Sequence, residues 1–70
     1  MPRVPGVNHK RAIRALERAG FVILREGRHT VMVRDDCIIT VPRHNPINAI
    51  TMGGIVRHAG LTVDEFRTLL

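Results

Sequence analysis

Residues 21–42 read FVILREGRHTVMVRDDCIITVP: three runs rich in Val, Ile, Phe and Thr, separated by Gly27-Arg28 and Asp35-Asp36. Those residue types favour a pleated backbone. Gaps this short join neighbouring strands only as antiparallel hairpins, because parallel neighbours need a crossover of roughly a dozen residues or more. The stretch therefore predicts a three-stranded antiparallel meander over 21–26, 29–34 and 37–42. Asp tolerates the turn geometry at 35–36, and Pro42, with no N–H to donate, closes the last strand. The alternation is not clean. Val22 and Leu24 point opposite to Phe21 and Ile23, Met32 opposite to Val31 and Val33, and Ile38 opposite to Ile39 and Val41. Both faces of the sheet are apolar, so helices must cover one, and the other needs a partner or stays as an exposed apolar patch.

The flanks supply the helices. Asn8 is a fair N-cap, and Ala12, Ile13, Leu16 and Ala19 form one apolar stripe at three- and four-residue spacing. Lys10, Arg11, Arg14, Glu17 and Arg18 fall largely opposite, and Gly20 suits a left-handed stop. A helix over 9–19 with a basic outer face follows. After a loop over 43–50, Thr51 is read as the N-cap of a second helix with Met52, Ile55, Val56 and Ala59 inward and Gly60 as its end. Gly53 and Gly54 each cost ~1 kcal/mol against alanine there, and close approach of a neighbouring backbone would explain them. Thr62 and Glu65 form a capping box for a short last helix that buries Phe66 and Leu69 or Leu70. The fold class is α+β in the order α-β-β-β-α plus a short helix: one domain over 8–70 behind a loose arm over 1–7, which carries two prolines and no periodicity.

Charge narrows the partners. Eleven basic residues, ten of them arginine, face six acidic ones, for a net charge of +5. So basic a surface favours anionic partners, nucleic acid first, although basic charge also serves solubility. Arginine suits bidentate phosphate contact; an arginine-rich composition fits a GC-rich or thermophilic genome equally well. No apolar stretch approaches the ~18 residues of a membrane span, and MPRVPGVNHKR has no apolar signal core. The single Cys37 cannot pair internally. A cytoplasmic protein that does not engage membranes is expected.

Elimination leaves few chemistries open, and a purely structural role for each histidine remains among the readings. There is no serine. Cys37 follows two aspartates, whose charge works against a thiolate. No ligand spacing for a metal is present, so none is expected, and no glycine loop for phosphates occurs. Tyr and Trp are absent and both Phe residues sit at core positions, which leaves no stacking platform for bases. His9 and His58 lie among polar neighbours on helices, and His44 lies in a loop where it can hydrogen-bond a carbonyl. His29 enters a strand directly after Gly27-Arg28, where a polar ring has little packing reason to be. A histidine within a basic surface suits metal-free RNA cleavage. The substrate supplies its own 2′-hydroxyl, an imidazole moves the proton, and guanidinium groups hold the developing phosphorane charge.

RAIRALERAGFVILREGRHTVMV, ITVPRH and ITMGGIVRHAGLTVDEFRTLL together resemble the HicA (YcfA-like) mRNA interferase toxins. The motifs AGF, GRH, VPRH and AGL occur in that family's order and spacing over roughly residues 11–70. The resemblance implies a double-stranded-RNA-binding-like fold with helices on one face of a three-stranded sheet. It implies ribosome-independent mRNA cleavage without metal or other cofactor, and neutralisation by a HicB-type antitoxin. The family's active histidine falls on His29 and its glycine on Gly27. Arg28 stands where serine is commoner, and Gly53 and Gly54 stand where polar residues are usual. Together these readings make His29 the catalytic base or acid and Arg28 and Arg43 the phosphate contacts. Lys10 and Arg14 form a more distant track, and His44 is a second proton-transfer candidate. The antitoxin or a second copy of the chain is expected on the uncovered sheet face. The alternative is a non-catalytic RNA- or protein-binding module on the same fold.

Overall fold

The computed structural model describes residues 6–70. Helix α1 (His9–Arg18) leads into β1 (Val22–Glu26), β2 (His29–Arg34) and β3 (Cys37–Pro42), and α2 (Ala49–His58) and α3 (Val63–Leu69) follow. The sheet is an antiparallel meander in the order β1-β2-β3. Asp35 takes a positive φ of 53° at the second turn, which a short polar side chain accommodates.

Capping sets the helix limits. The Asn8 side chain accepts from the Lys10 N–H at the start of α1, and Gly20 follows its end at φ 101°. The buried stripe of α1 is Ala12, Ala15 and Leu16, with Ile13 half-buried at its edge. Helix α2 starts earlier than expected: Asn48, not Thr51, is its N-cap, and the Asn48 side chain accepts from the Thr51 N–H. The capping box at Thr62 and Glu65 is formed in both directions.

Helices α1 and α2 lie against β3, and α3 closes against both. The core between these layers holds Leu16, Phe21, Met32, Ile39, Val41, Met52, Val56 and Phe66. Burying a Phe or Leu side chain is worth about 1.5–3 kcal/mol, so both aromatic residues of the chain serve stability. Val7 joins this core, because its N–H and C=O pair with the C=O and N–H of Ile47. Val7, expected in a loose arm over 1–7, is thus held in the core, and residues 1–5 lie outside the described residues. A β-carbon on Gly53 or Gly54 would meet nothing within 4 Å. Close approach of a neighbouring backbone, the reason anticipated for these glycines, is thus not what they serve.

The two sheet faces differ sharply. Thr30, Met32, Ile39 and Val41 point into the core and are buried. The opposite face carries His29, Val31 and Val33 of β2 and Ile38 and Thr40 of β3. Val22 and Ile38 are 59% and 55% exposed, so no described element covers this face. The apolar second face expected from the broken alternation is present and open.

Candidate functional site

His29 is the first residue of the middle strand, paired across the sheet with Pro42. Thr30 beside it is buried, and strand alternation then turns the imidazole to the open face. His29 is exposed there. It lines a shallow, solvent-open cavity of about 350 Å³ with Arg25, Gly27, Arg28, Val31 and Thr40. Of the residues singled out in the sequence, the fold thus gathers His29, Gly27 and Arg28 around one concavity.

Arg43 has a different place. Its guanidinium donates to the Gly27 carbonyl at 3.2 Å, pinning the β1–β2 turn to the loop after β3. One N–H is committed to the turn and the other donors stay available to an anion. His44 is exposed in the same loop and does not line the cavity. Lys10 and Arg14 are exposed on α1, also outside the cavity wall. The start of α1 is nevertheless tied to the 43–46 loop. The Asn45 Oδ1 accepts from the His9 backbone N–H at 3.2 Å and lies 2.9 Å from His9 Nδ1. His9 is accordingly half-buried rather than a free surface residue.

Three contributors escape a reading of the sequence alone. Arg25 and Thr40 flank Val31 in one cross-strand row, Arg25 opposite Val31 in β1 and Thr40 opposite Val31 in β3. Simple alternation would put Arg25 on the face of Ile23, which lies opposite the buried Met32. A register shift between Ile23 and Arg25 inserts Leu24 as an extra residue and carries Arg25 to the open face. Nothing local in VILRE announces that shift. The third is Asn45, whose dipeptide with Pro46 reads as a turn and shows nothing of its tie to α1.

Among the described residues, no cluster of three or more His, Cys, Asp or Glu side chains is placed to hold a metal. Among the described residues, no helix is long and apolar enough to cross a membrane either.

An α-β-β-β-α-α domain with helices on one face of a three-stranded antiparallel sheet is of the double-stranded-RNA-binding-like type. A family model described as the HicA toxin of bacterial toxin–antitoxin matches residues 10–61, from the first turn of α1 to just past α2, and the chain belongs to the HicA toxin family. No curated protein and no solved structure matches it. Family membership makes the chain a toxin of a toxin–antitoxin pair, with an antitoxin as its counterpart.

Proposed function

We propose that the protein is a metal-independent, ribosome-independent endoribonuclease that cuts mRNA in the cytoplasm. The observation that carries this reading is the solvent-open imidazole of His29 in a concavity shared with Arg25 and Arg28. In the reaction the 2′-oxygen bonds to the adjacent phosphorus and the bond from phosphorus to the 5′-oxygen breaks. The 2′-hydroxyl loses a proton and the leaving 5′-oxygen gains one, giving 2′,3′-cyclic phosphate and 5′-hydroxyl ends. His29 serves one end of this exchange, as base or as acid. His44, two residues beyond the Pro42 that faces His29, is the candidate for the other end. Arg28 and the free donors of Arg43 hold the charge that builds on the phosphorane. Lys10 and Arg14 extend the positive surface for the flanking strand.

A HicB-type antitoxin on the open sheet face would cover His29 and the apolar residues around it together, neutralising the toxin by occlusion. A second copy of the chain on the same face would instead give a homodimer, which sedimentation of the isolated protein distinguishes.

His29→Ala is expected to abolish cleavage of a mixed-sequence RNA while leaving the melting temperature within a degree or two, because the side chain is exposed. His44→Ala, assayed alongside, is expected to lower the rate by about a hundredfold if it moves the second proton. Cleavage is expected to persist in EDTA. An undiminished rate in His29→Ala, or products with 5′-phosphate ends, would overturn the assignment. A binding module without catalysis predicts no products at all, and a 2′-deoxy substitution at the cut position separates the two: it blocks cleavage and leaves binding intact.

A further inference from the structure

The cavity beside His29 contains more than a phosphate site requires. Its floor is the half-buried Val31, and its sides are Arg25 from β1 and Thr40 from β3. Directly opposed cross-strand neighbours stand ~5 Å apart, so Arg25 and Thr40 straddle a gap of ~10 Å over an apolar floor, wide enough for a flat heterocycle. Val31 lies two residues along β2 from His29 on the same face, ~7 Å at the rise of a strand. A base resting on Val31 is therefore within one nucleotide's reach of a phosphate at His29. At the mouth, a β-carbon on Gly27 would meet nothing within 4 Å, so the backbone there leaves room for a ribose-phosphate chain to pass.

The polar chemistry of the walls is weighted towards donors. Arg25 and Arg28 only donate, and the Thr40 hydroxyl adapts to either role. No carboxylate lines the cavity, and the Gly27 carbonyl is already engaged by Arg43. A base that fits must present acceptors side by side. Guanine does so with O6 and N7, the edge that arginine reads bidentately, and its two rings cover more of the apolar floor than the single ring of cytosine, whose O2 and N3 are also adjacent acceptors; adenine places its N6 donor beside N7. Side chains cannot reach that edge in the deep, narrow major groove of an RNA helix, so the base must come from an unpaired strand.

We propose that Arg25, Val31 and Thr40 form a nucleobase subsite next to His29 that selects a single unstacked guanine flanking the scissile phosphate. The proposal rests on the endoribonuclease reading for the word scissile, but the subsite itself is a binding property and is testable without cleavage.

The test uses 2′-O-methyl octanucleotides of uridine, which cannot be cut, with one central guanine or one central adenine, binding to the full chain by fluorescence anisotropy. The parent is expected to favour guanine about tenfold, the discrimination of one bidentate pair. Arg25→Ala is expected to reduce the preference to within twofold. Arg25→Lys is expected to do the same while preserving the salt dependence of binding, because it keeps the charge and loses the fork. Equal binding of the two oligonucleotides by the parent, or a guanine preference that survives in Arg25→Ala, would overturn the subsite. Cleavage of the matching unmodified RNAs is read separately. Guanine-selective binding with no cleavage sinks the nuclease reading and leaves the subsite standing; cleavage with no base preference does the reverse.

Discussion

Arg34 shows how one charged side chain can organise a small core. From the end of β2 its guanidinium donates to the Ala19 carbonyl at 2.7 Å and the Ala59 carbonyl at 3.1 Å, tying down the ends of both α1 and α2. It also lies 4.7 Å from the centroid of the buried Phe21 ring. The C-terminal ends of helices carry partial negative charge and unpaired carbonyls, which a cation satisfies, and the ring face adds a cation–π contribution. Arg34→Ala should therefore destabilise the fold by about 2–3 kcal/mol, on the scale of charge-assisted hydrogen bonds plus the ring contact. Urea unfolding measures this, and a loss under about 0.5 kcal/mol would show that the two carbonyls find water instead. Arg34 and Arg25 look alike in the sequence, since each follows an apolar run near the end of a strand. One is a structural clamp on the helices and the other lines the open cavity, and only their surroundings separate them.

At the scale of elements, what was legible depended on how local the cause is. The limits of β2 and β3, the Asp35-Asp36 turn, the Gly20 and Gly60 stops and the Thr62 capping box all arise within a few residues, through backbone dihedrals and side chain-to-backbone bonds, while β1 starts at Val22, one residue later than expected. They were readable for that reason. The start of α2 is not local in this sense: Asn48 and Thr51 are both competent caps by residue type, and in the fold Asn48 caps the helix directly after Ile47, whose backbone pairs with Val7. Gly53 and Gly54 illustrate the converse. They sit in mid-helix with no neighbour near a β-carbon, so they weaken α2 without a packing return. Gly53→Ala and Gly54→Ala should each stabilise the protein by about 0.5–1 kcal/mol, a rise of roughly 4–8 °C in melting temperature per kcal/mol for a domain of this size. A fall in melting temperature on either substitution would mean that the helix needs those positions open for some other reason.

The whole molecule is divided in two by its sheet. One side is closed by helices, and the other leaves Val22 and Ile38 more than half exposed beside the basic cavity. Because these residues contribute little to the core, Val22→Lys and Ile38→Lys should leave the unfolding free energy within about 0.5 kcal/mol, as for surface substitutions generally. Under the occlusion reading they should weaken antitoxin binding by at least tenfold, since a buried lysine without a partner is costly to desolvate. Titration calorimetry with the antitoxin checks this, and unchanged affinity would place the antitoxin elsewhere. By itself the sequence determined the meander, the helices around it and the basic character, and put a histidine at the mouth of the middle strand, because each follows from side-chain type and short-range spacing. Only the tertiary structure decided which cations join His29. Arg25 reaches the cavity through the extra residue at Leu24, Arg43 is drawn to the Gly27 carbonyl, and Lys10 and Arg14 stay on α1 outside the wall. The physical reason is that a cross-strand row brings together residues far apart in the chain, and a one-residue slip in register moves a side chain to the opposite face.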